Sequence, residues 1–210
     1  MLSRKVIVVA LLTAVLGTAA LFFRRGEPVR NLPVTGEGVV IVGDSLVYGT
    51  GSDSGGFVSR VSALVGIPVA NYGVPGDTAS QGLARVPSVL AKHPRPAVAM
   101  VLLGGNDYLR DVPKQQTFRD LRQIITSFQQ AGAAVIILGV RGGVLRDGYS
   151  DEFERLARET GSVLVPDVLD GVFGVPRLMA DAIHPNDAGY AIIAERVAPV
   201  LVSVLRGDVR

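Results

Sequence analysis

From Gly38 onward the chain alternates between short aliphatic runs and longer stretches in which apolar residues recur every three or four positions. The runs are Val39-Val40-Ile41-Val42, Pro68 to Asn71, Ala97 to Leu103, Ala133 to Val140 and Val163-Leu164-Val165. Apart from the short second run they are nearly continuous in apolar character, which predicts strands covered on both faces, as in a parallel sheet. The stretches between them predict helices over Gly56 to Val65, Ser80 to Ala91, Pro113 to Ala131, Asp151 to Thr160 and Asp187 to Leu205. The third has Pro113 at its start, Gly132 just past its end, and Phe118, Leu121, Ile125 and Phe128 at the spacing of one buried stripe. The fourth has Ser150 as its expected N-cap, Asp151 and Glu152 in its first turn and Gly161 after it. Strand-then-helix alternation with right-handed crossovers predicts an α/β fold, a doubly wound parallel sheet between two helical layers, with its ligand site at the carboxyl ends of the strands.

The N-terminus follows a different pattern. Arg4 and Lys5 precede a stretch from Val6 to Phe23 that carries no charge and is interrupted only by Thr13, Gly17 and Thr18. As a helix it would span roughly 27 Å, near the thickness of a bilayer's hydrocarbon core. Residues 1–23 are therefore expected to be a membrane anchor or a signal segment. Gly17 to Ala20 offer small residues for cleavage, while Leu21-Phe22-Phe23 continues the apolar run and favours an uncleaved anchor. Arg24, Arg25 and Arg30 on the far side weaken the positive-inside argument, yet export of the rest of the chain is the simplest reading. Residues 24–37, with Gly26, Pro28, Pro33 and Gly36 and little apolar periodicity, read as a linker, and residues 38–210 as one domain.

The unusual polar residues gather at the predicted carboxyl edge of the sheet. After the first strand comes Gly43-Asp44-Ser45-Leu46; after the second, Tyr72 to Asp77; after the third, Gly104-Gly105-Asn106-Asp107; after the fifth, Asp181-Ala182-Ile183-His184-Pro185. The chain has two histidines. His93 precedes the third strand and so falls on the opposite, amino edge, leaving His184 as the candidate base for Ser45. Asp181, three residues earlier, is placed to accept from Nδ1 and fix the imidazole tautomer. Ser45 N–H, Gly76 N–H near a helix start and the Asn106 side-chain amide are candidate oxyanion donors. Asp44 and Asp107 read as structural, each bonding local backbone. A serine can equally be a helix cap and glycine or asparagine a plain turn residue; the convergence of all of them on one rim favours chemistry.

The formal charge of +2 comes without a Lys/Arg block, which argues against a nucleic-acid partner. With no cysteine, disulfides, thiolate zinc sites and a cysteine nucleophile are excluded.

These residues resemble the four blocks of the GDSL/SGNH hydrolase superfamily. Gly76 to Arg85, Leu103-Gly104-Gly105-Asn106-Asp107 and Ile183-His184-Pro185-Asn186 resemble in particular the bacterial group of acyl-CoA thioesterases, arylesterases and lysophospholipases. The resemblance runs from about Val39 to Val200 and implies a three-layer α/β/α, flavodoxin-like five-stranded sheet. It also implies a small-molecule acyl ester or lipid as substrate, no metal and no cofactor. Two departures stand out: Val47-Tyr48-Gly49-Thr50 replaces the family's Ser-Ala-Gly-Tyr, and the loop after the fourth strand reads Arg141-Gly142-Gly143-Val144-Leu145-Arg146-Asp147-Gly148. Arg141 and Arg146 are thus expected on a positively charged flap that meets a phosphate or carboxylate, and Leu46 and Tyr108, with Tyr48, Leu109, Phe173 and Met179, are candidates to meet the acyl chain. Rival readings are a metal-dependent phosphatase built on Asp44, Asp77, Asp107 and His184, which leaves Ser45 idle, an envelope glycan O-acetylesterase or acyltransferase using the same serine, and a binding domain without turnover.

Overall fold

The computed structural model describes residues 28–141 and 148–209. The apolar segment from Val6 to Phe23 lies outside the described residues, as does Arg146.

Five strands form one parallel sheet: β1 (Val39–Gly43), β2 (Val69–Gly73), β3 (Val98–Leu102), β4 (Ala134–Leu138) and β5 (Val163–Val165), in the order β2-β1-β3-β4-β5. Every residue of β1, β3 and β4 is buried, which is why those runs are apolar on both faces; β2, on an edge, is only half-buried. The helices are α1 (Ser45–Tyr48), α2 (Gly56–Val65), α3 (Ala79–Lys92), α4 (Gly105–Leu109), α5 (Lys114–Gln130), α6 (Tyr149–Thr160) and α7 (Asp187–Arg206), with a 3-10 turn at Pro176–Leu178. Helix α2 packs with α7 on one side of the sheet, and α3, α5 and α6 pack in sequence on the other. The result is a three-layer α/β/α sandwich.

Each layer is centred on aromatic residues. Phe57 of α2 stacks on Tyr190 of α7 at 6.4 Å, and Phe118, Tyr149 and Phe153 meet edge to face on the opposite side. Helix α7 is long and apolar enough to cross a membrane, but Tyr190, Ile193, Val197, Leu201 and Val204 are buried within the domain, so it is a core helix. Helix α6 begins at Tyr149 with Gly148 as its left-handed N-cap, rather than at Asp151 behind a Ser150 cap. The gain is burial of Tyr149 against Phe118 and Phe153.

Residues 28–37 lie against the domain. Asn31 Nδ2 donates to the carbonyls of Gln129 and Ala133, both at 2.8 Å, while Arg30 N–H bonds Gly161 O and Glu37 N–H bonds Arg95 O. Val29, Leu32 and Val34 pack on the core. The amide thereby ties this segment to the last turn of α5 through Gln129 and to the residue that leads into β4 through Ala133.

The chain leaves β1 toward β2 on one side and returns to β3 on the other. Strand order therefore reverses between β1 and β3, and the crevice of such a sheet opens there. Asn31→Ala is expected to lower the free energy of unfolding by about 1–2 kcal/mol in urea denaturation, because two part-buried hydrogen bonds to distant carbonyls are lost. A change within about 0.3 kcal/mol would mean that this segment adds nothing to the folded unit.

Candidate active site

At the end of β1 the chain turns with no room for side chains. A Cβ on Gly43 would meet Val47 Cγ2 at 2.2 Å and Leu102 O at 2.7 Å. Asp44 follows, 3% exposed, and its Oδ1 accepts the Leu46 N–H at 3.0 Å, capping α1. Ser45 is therefore the first residue of a helix, where a backbone N–H has no partner within the helix. Asn71 supports this turn from β2 by donating Nδ2 to Val47 O at 2.7 Å.

The imidazole reaches Ser45 from the other end of the domain. His184 Nε2 lies 3.0 Å from Ser45 Oγ, and Nδ1 lies 2.8 Å from Asp181 Oδ2. The second carboxylate oxygen, Oδ1, accepts the backbone N–H groups of Ile183 and His184, both at 2.7 Å. These bonds, led by the one from the imidazole, hold the Asp181 carboxyl down at about 2 although the residue is exposed. Asp181 thus stays ionised wherever His184 can act as a base. His93 makes its contact elsewhere, with Tyr72 Oη at 2.9 Å.

Two further loops complete the rim. Gly76, at φ +84°, sits in the turn between β2 and α3, and no acceptor among the described residues takes its N–H. Asn106, in α4, directs Nδ2 at Asp77 O (3.1 Å) and at Asp44 Oδ2 (3.2 Å). Because both neighbours are acceptors, the nitrogen rather than the oxygen of the amide must face them. To serve an oxyanion, Nδ2 must share or exchange one of these long bonds.

Of the groups that hold these loops, the sequence pointed to Asp107 but not to Arg85, Tyr190 or Asp187. Arg85, on α3, grips Asp77 Oδ2 through Nη2 at 2.6 Å and Nε at 2.7 Å, and donates to Tyr72 O and Gly43 O. It thereby joins the ends of β1 and β2 beneath Gly76. Asp107 accepts from Ala79 N–H at 2.9 Å and Thr117 Oγ1 at 3.2 Å, and burial pushes its carboxyl up. Tyr190 Oη donates to Thr50 O at 2.7 Å, and Asp187 takes the hydroxyls of Ser52 and Ser54, so the loop after α1 is tied to the start of α7. Asp107 and Asp187 fall beside strand and helix ends, where polar residues tie loops, whereas Arg85 and Tyr190 lie inside helices and carry no such signal.

Of the residues expected to meet substrate, Tyr108 is on the rim, 39% exposed, with its ring edge-on to Tyr149. Leu46 points into the core cluster at 8% exposure. Arg141 lies 3.8 Å from Asp167, and Arg146 is outside the described residues. The aspartates imagined as metal ligands already have partners: Asp77 has Arg85, Asp107 has Ala79 and Thr117, and Asp44 has Leu46 and Asn106.

Burial raises the Asp44 carboxyl from 3.8 to about 6, opposed by the Leu46 N–H and the charge of His184. Between those values the native state binds more protons than the unfolded chain, so this group removes stability as pH rises from about 4 to above about 6. The two-unit difference corresponds to about 3 kcal/mol. Asp44→Asn, neutral throughout, is expected to gain on the parent by up to that amount between pH 4 and pH 7 in paired urea denaturations. A gap between the two proteins that does not change with pH would show that Asp44 titrates normally.

Residues 41–192 match the model of the GDSL-like lipase/acylhydrolase family. The chain is 34% identical to "Esterase TesA" of Pseudomonas aeruginosa over 179 residues, covering 80% of this chain and 89% of that protein. It is 36% identical over 146 residues to "Thioesterase 1/protease 1/lysophospholipase L1" of Escherichia coli K12, covering 67% and 70% of the two chains. The crystal structure of TesA superposes with a TM-score of 0.74 at 33% identity, covering 80% of this chain and all of that one. The chain therefore belongs to the GDSL-like lipase/acylhydrolase family, and it is a carboxylic ester hydrolase.

Proposed function

We propose that the chain hydrolyses acyl esters and thioesters through an acyl-enzyme on Ser45. The observation that carries the reading is the unbroken line from Asp181 Oδ2 through His184 to Ser45 Oγ, at 2.8 and 3.0 Å. His184 Nε2 takes the proton of Ser45 Oγ as that oxygen bonds to the substrate carbonyl carbon, and Asp181 holds the imidazole by Nδ1–H. The negative charge that develops on the carbonyl oxygen is met by Ser45 N–H, Gly76 N–H and Asn106 Nδ2. His184 then returns the proton to the departing alcohol or thiol oxygen or sulfur as its bond to the acyl carbon breaks. Water, deprotonated by the same imidazole, adds to the acyl-enzyme and releases the acid with Ser45 restored.

The substrate classes we assign are aryl and short to medium acyl esters, acyl thioesters and lysophospholipids, in keeping with the activities named for the relatives. We place the domain on the extracytoplasmic side, carried there by residues 6–23, either as a retained anchor or as a signal that is removed.

The test is turnover of p-nitrophenyl esters by the parent and by Ser45→Ala. The substitution is expected to lower kcat by at least about 10⁴-fold, as for other serine-histidine pairs. Equal rates from the two proteins would remove Ser45 from the mechanism. Asn106→Ala is expected to lower kcat by about 10²–10³-fold with little change in KM, the mark of a donor that acts mainly in the transition state. A rise in KM at constant kcat would instead make Asn106 a ground-state contact.

A further inference from the structure

Arg110, a described cation on the rim, has no task in the mechanism proposed above. Arg110 closes α4, its backbone N–H bonded to the carbonyls of Asn106 (3.1 Å) and Asp107 (3.3 Å). Its guanidinium turns back over the neighbouring loop, where a Cβ on Gly76 would lie 3.2 Å from Nη2. The group is thus beside the backbone that carries a proposed oxyanion donor.

Arg110 is exposed, and among the described residues no carboxylate forms an ion pair with it. Asp111, the next residue, is exposed and forms no ion pair with Arg110, and the other acidic side chains of this rim have partners of their own. Asp77 is held by Arg85, Asp107 by Ala79 and Thr117, and Asp44 by Leu46 and Asn106. Arg141, the described cation expected on this rim, stands 3.8 Å from Asp167. A planar guanidinium with no protein acceptor among the described residues, fixed at its Cα by a helix end and set against a glycine, suits bidentate capture of an oxyanion group.

We propose that Arg110 is a specificity-determining residue that binds a phosphate, sulfonate or carboxylate lying a few bonds from the scissile carbonyl. The inference rests on the Ser45 reading, because it is the oxyanion position at Gly76 that sets the substrate beside Arg110. With Arg85 occupied beneath the turn and Arg110 open above it, two arginines at one loop divide the work: one holds the loop and the other reads the ligand.

The test compares the parent with Arg110→Gln and Arg110→Lys on three esters. One is neutral p-nitrophenyl butyrate, one carries its charge on the acyl side (p-nitrophenyl hemiglutarate), and one carries it on the leaving group (4-butyryloxybenzenesulfonate). The ratio of kcat/KM for a charged ester to that for the neutral one is expected to fall about tenfold in Arg110→Gln, the scale of one charge-assisted hydrogen bond, and less in Arg110→Lys. In the parent, the preference is expected to shrink with added salt. The charged ester whose ratio falls identifies the side of the scissile bond that Arg110 faces. Ratios that stay constant for both charged esters, whether or not all three rates decline together, overturn the proposal and leave Arg110 a support for α4. Turnover of the neutral ester that survives Ser45→Ala would defeat the mechanism itself, and that outcome is read separately from the ratios.

Discussion

Asp44 keeps its carboxylate almost wholly out of water, and the Leu46 N–H and the Asn106 amide replace part of the hydration it has lost. A group desolvated to that degree is tolerated where hydrogen bonds return part of the solvation, and those bonds dictate the surrounding geometry. One oxygen caps α1, so the chain must enter a helix at Ser45, and that residue's N–H points out of the helix end. The other oxygen faces the Asn106 amide and ties the end of β3 to the end of β1. The reversal of strand order between these two strands opens the crevice; the buried carboxylate bridges its floor.

The remaining rim is joined by contacts that each link distant stretches of chain. Arg85 connects β1, β2 and the Gly76 turn, and Asp107 connects α4 with the starts of α3 and α5. Tyr190 and Asp187 draw the loop after α1 against the start of α7, next to His184. A Cβ on Gly51 would meet Pro185 O at 2.7 Å, so the two loops touch backbone to backbone. The 3.0 Å approach of His184 to Ser45 is therefore a property of the whole rim, since the two residues belong to opposite ends of the chain.

Much of this was legible in the sequence because it is local. Continuous apolar runs report strands buried on both faces, and a polar residue directly after such a run must lie on the carboxyl edge of a parallel sheet. That rule places Ser45, Gly76 and Asn106 on one rim; Asp181 and His184 lie in the long stretch between β5 and α7 and join them as the carboxylate and base that a serine needs. What could not be read depends on contacts between distant segments. Arg85 looks like any polar position of an amphipathic helix until Asp77 and two strand-end carbonyls come to meet it. Asn31 stands in a stretch without periodicity, which is held by its side-chain bonds and by backbone bonds to far carbonyls together with irregularly spaced contacts of Val29, Leu32 and Val34 with the core. Leu46 follows the nucleophile directly, yet a single helical turn carries too little pattern to show that it faces inward. At α6, burial of Tyr149 outweighs the cap that Ser150 advertises.

The aspartates of the rim show how environment divides one residue type among several tasks. Asp44 and Asp107 are pushed up by burial, whereas Asp181, open to solvent and accepting the imidazole and two backbone N–H groups, is held at about 2. Groups separated in this way do not compete for the same proton. In the proposed mechanism a proton arriving on His184 thus arrives beside a carboxylate that is already ionised and already oriented. Asp181 keeps much of its own hydration while it stabilises the imidazolium, so the charge that assists the reaction needs no buried counterpart. Asp44, which does sit buried, is placed instead where a raised carboxyl can do structural work: under the turn, bonded to the groups that position Ser45 and Asn106.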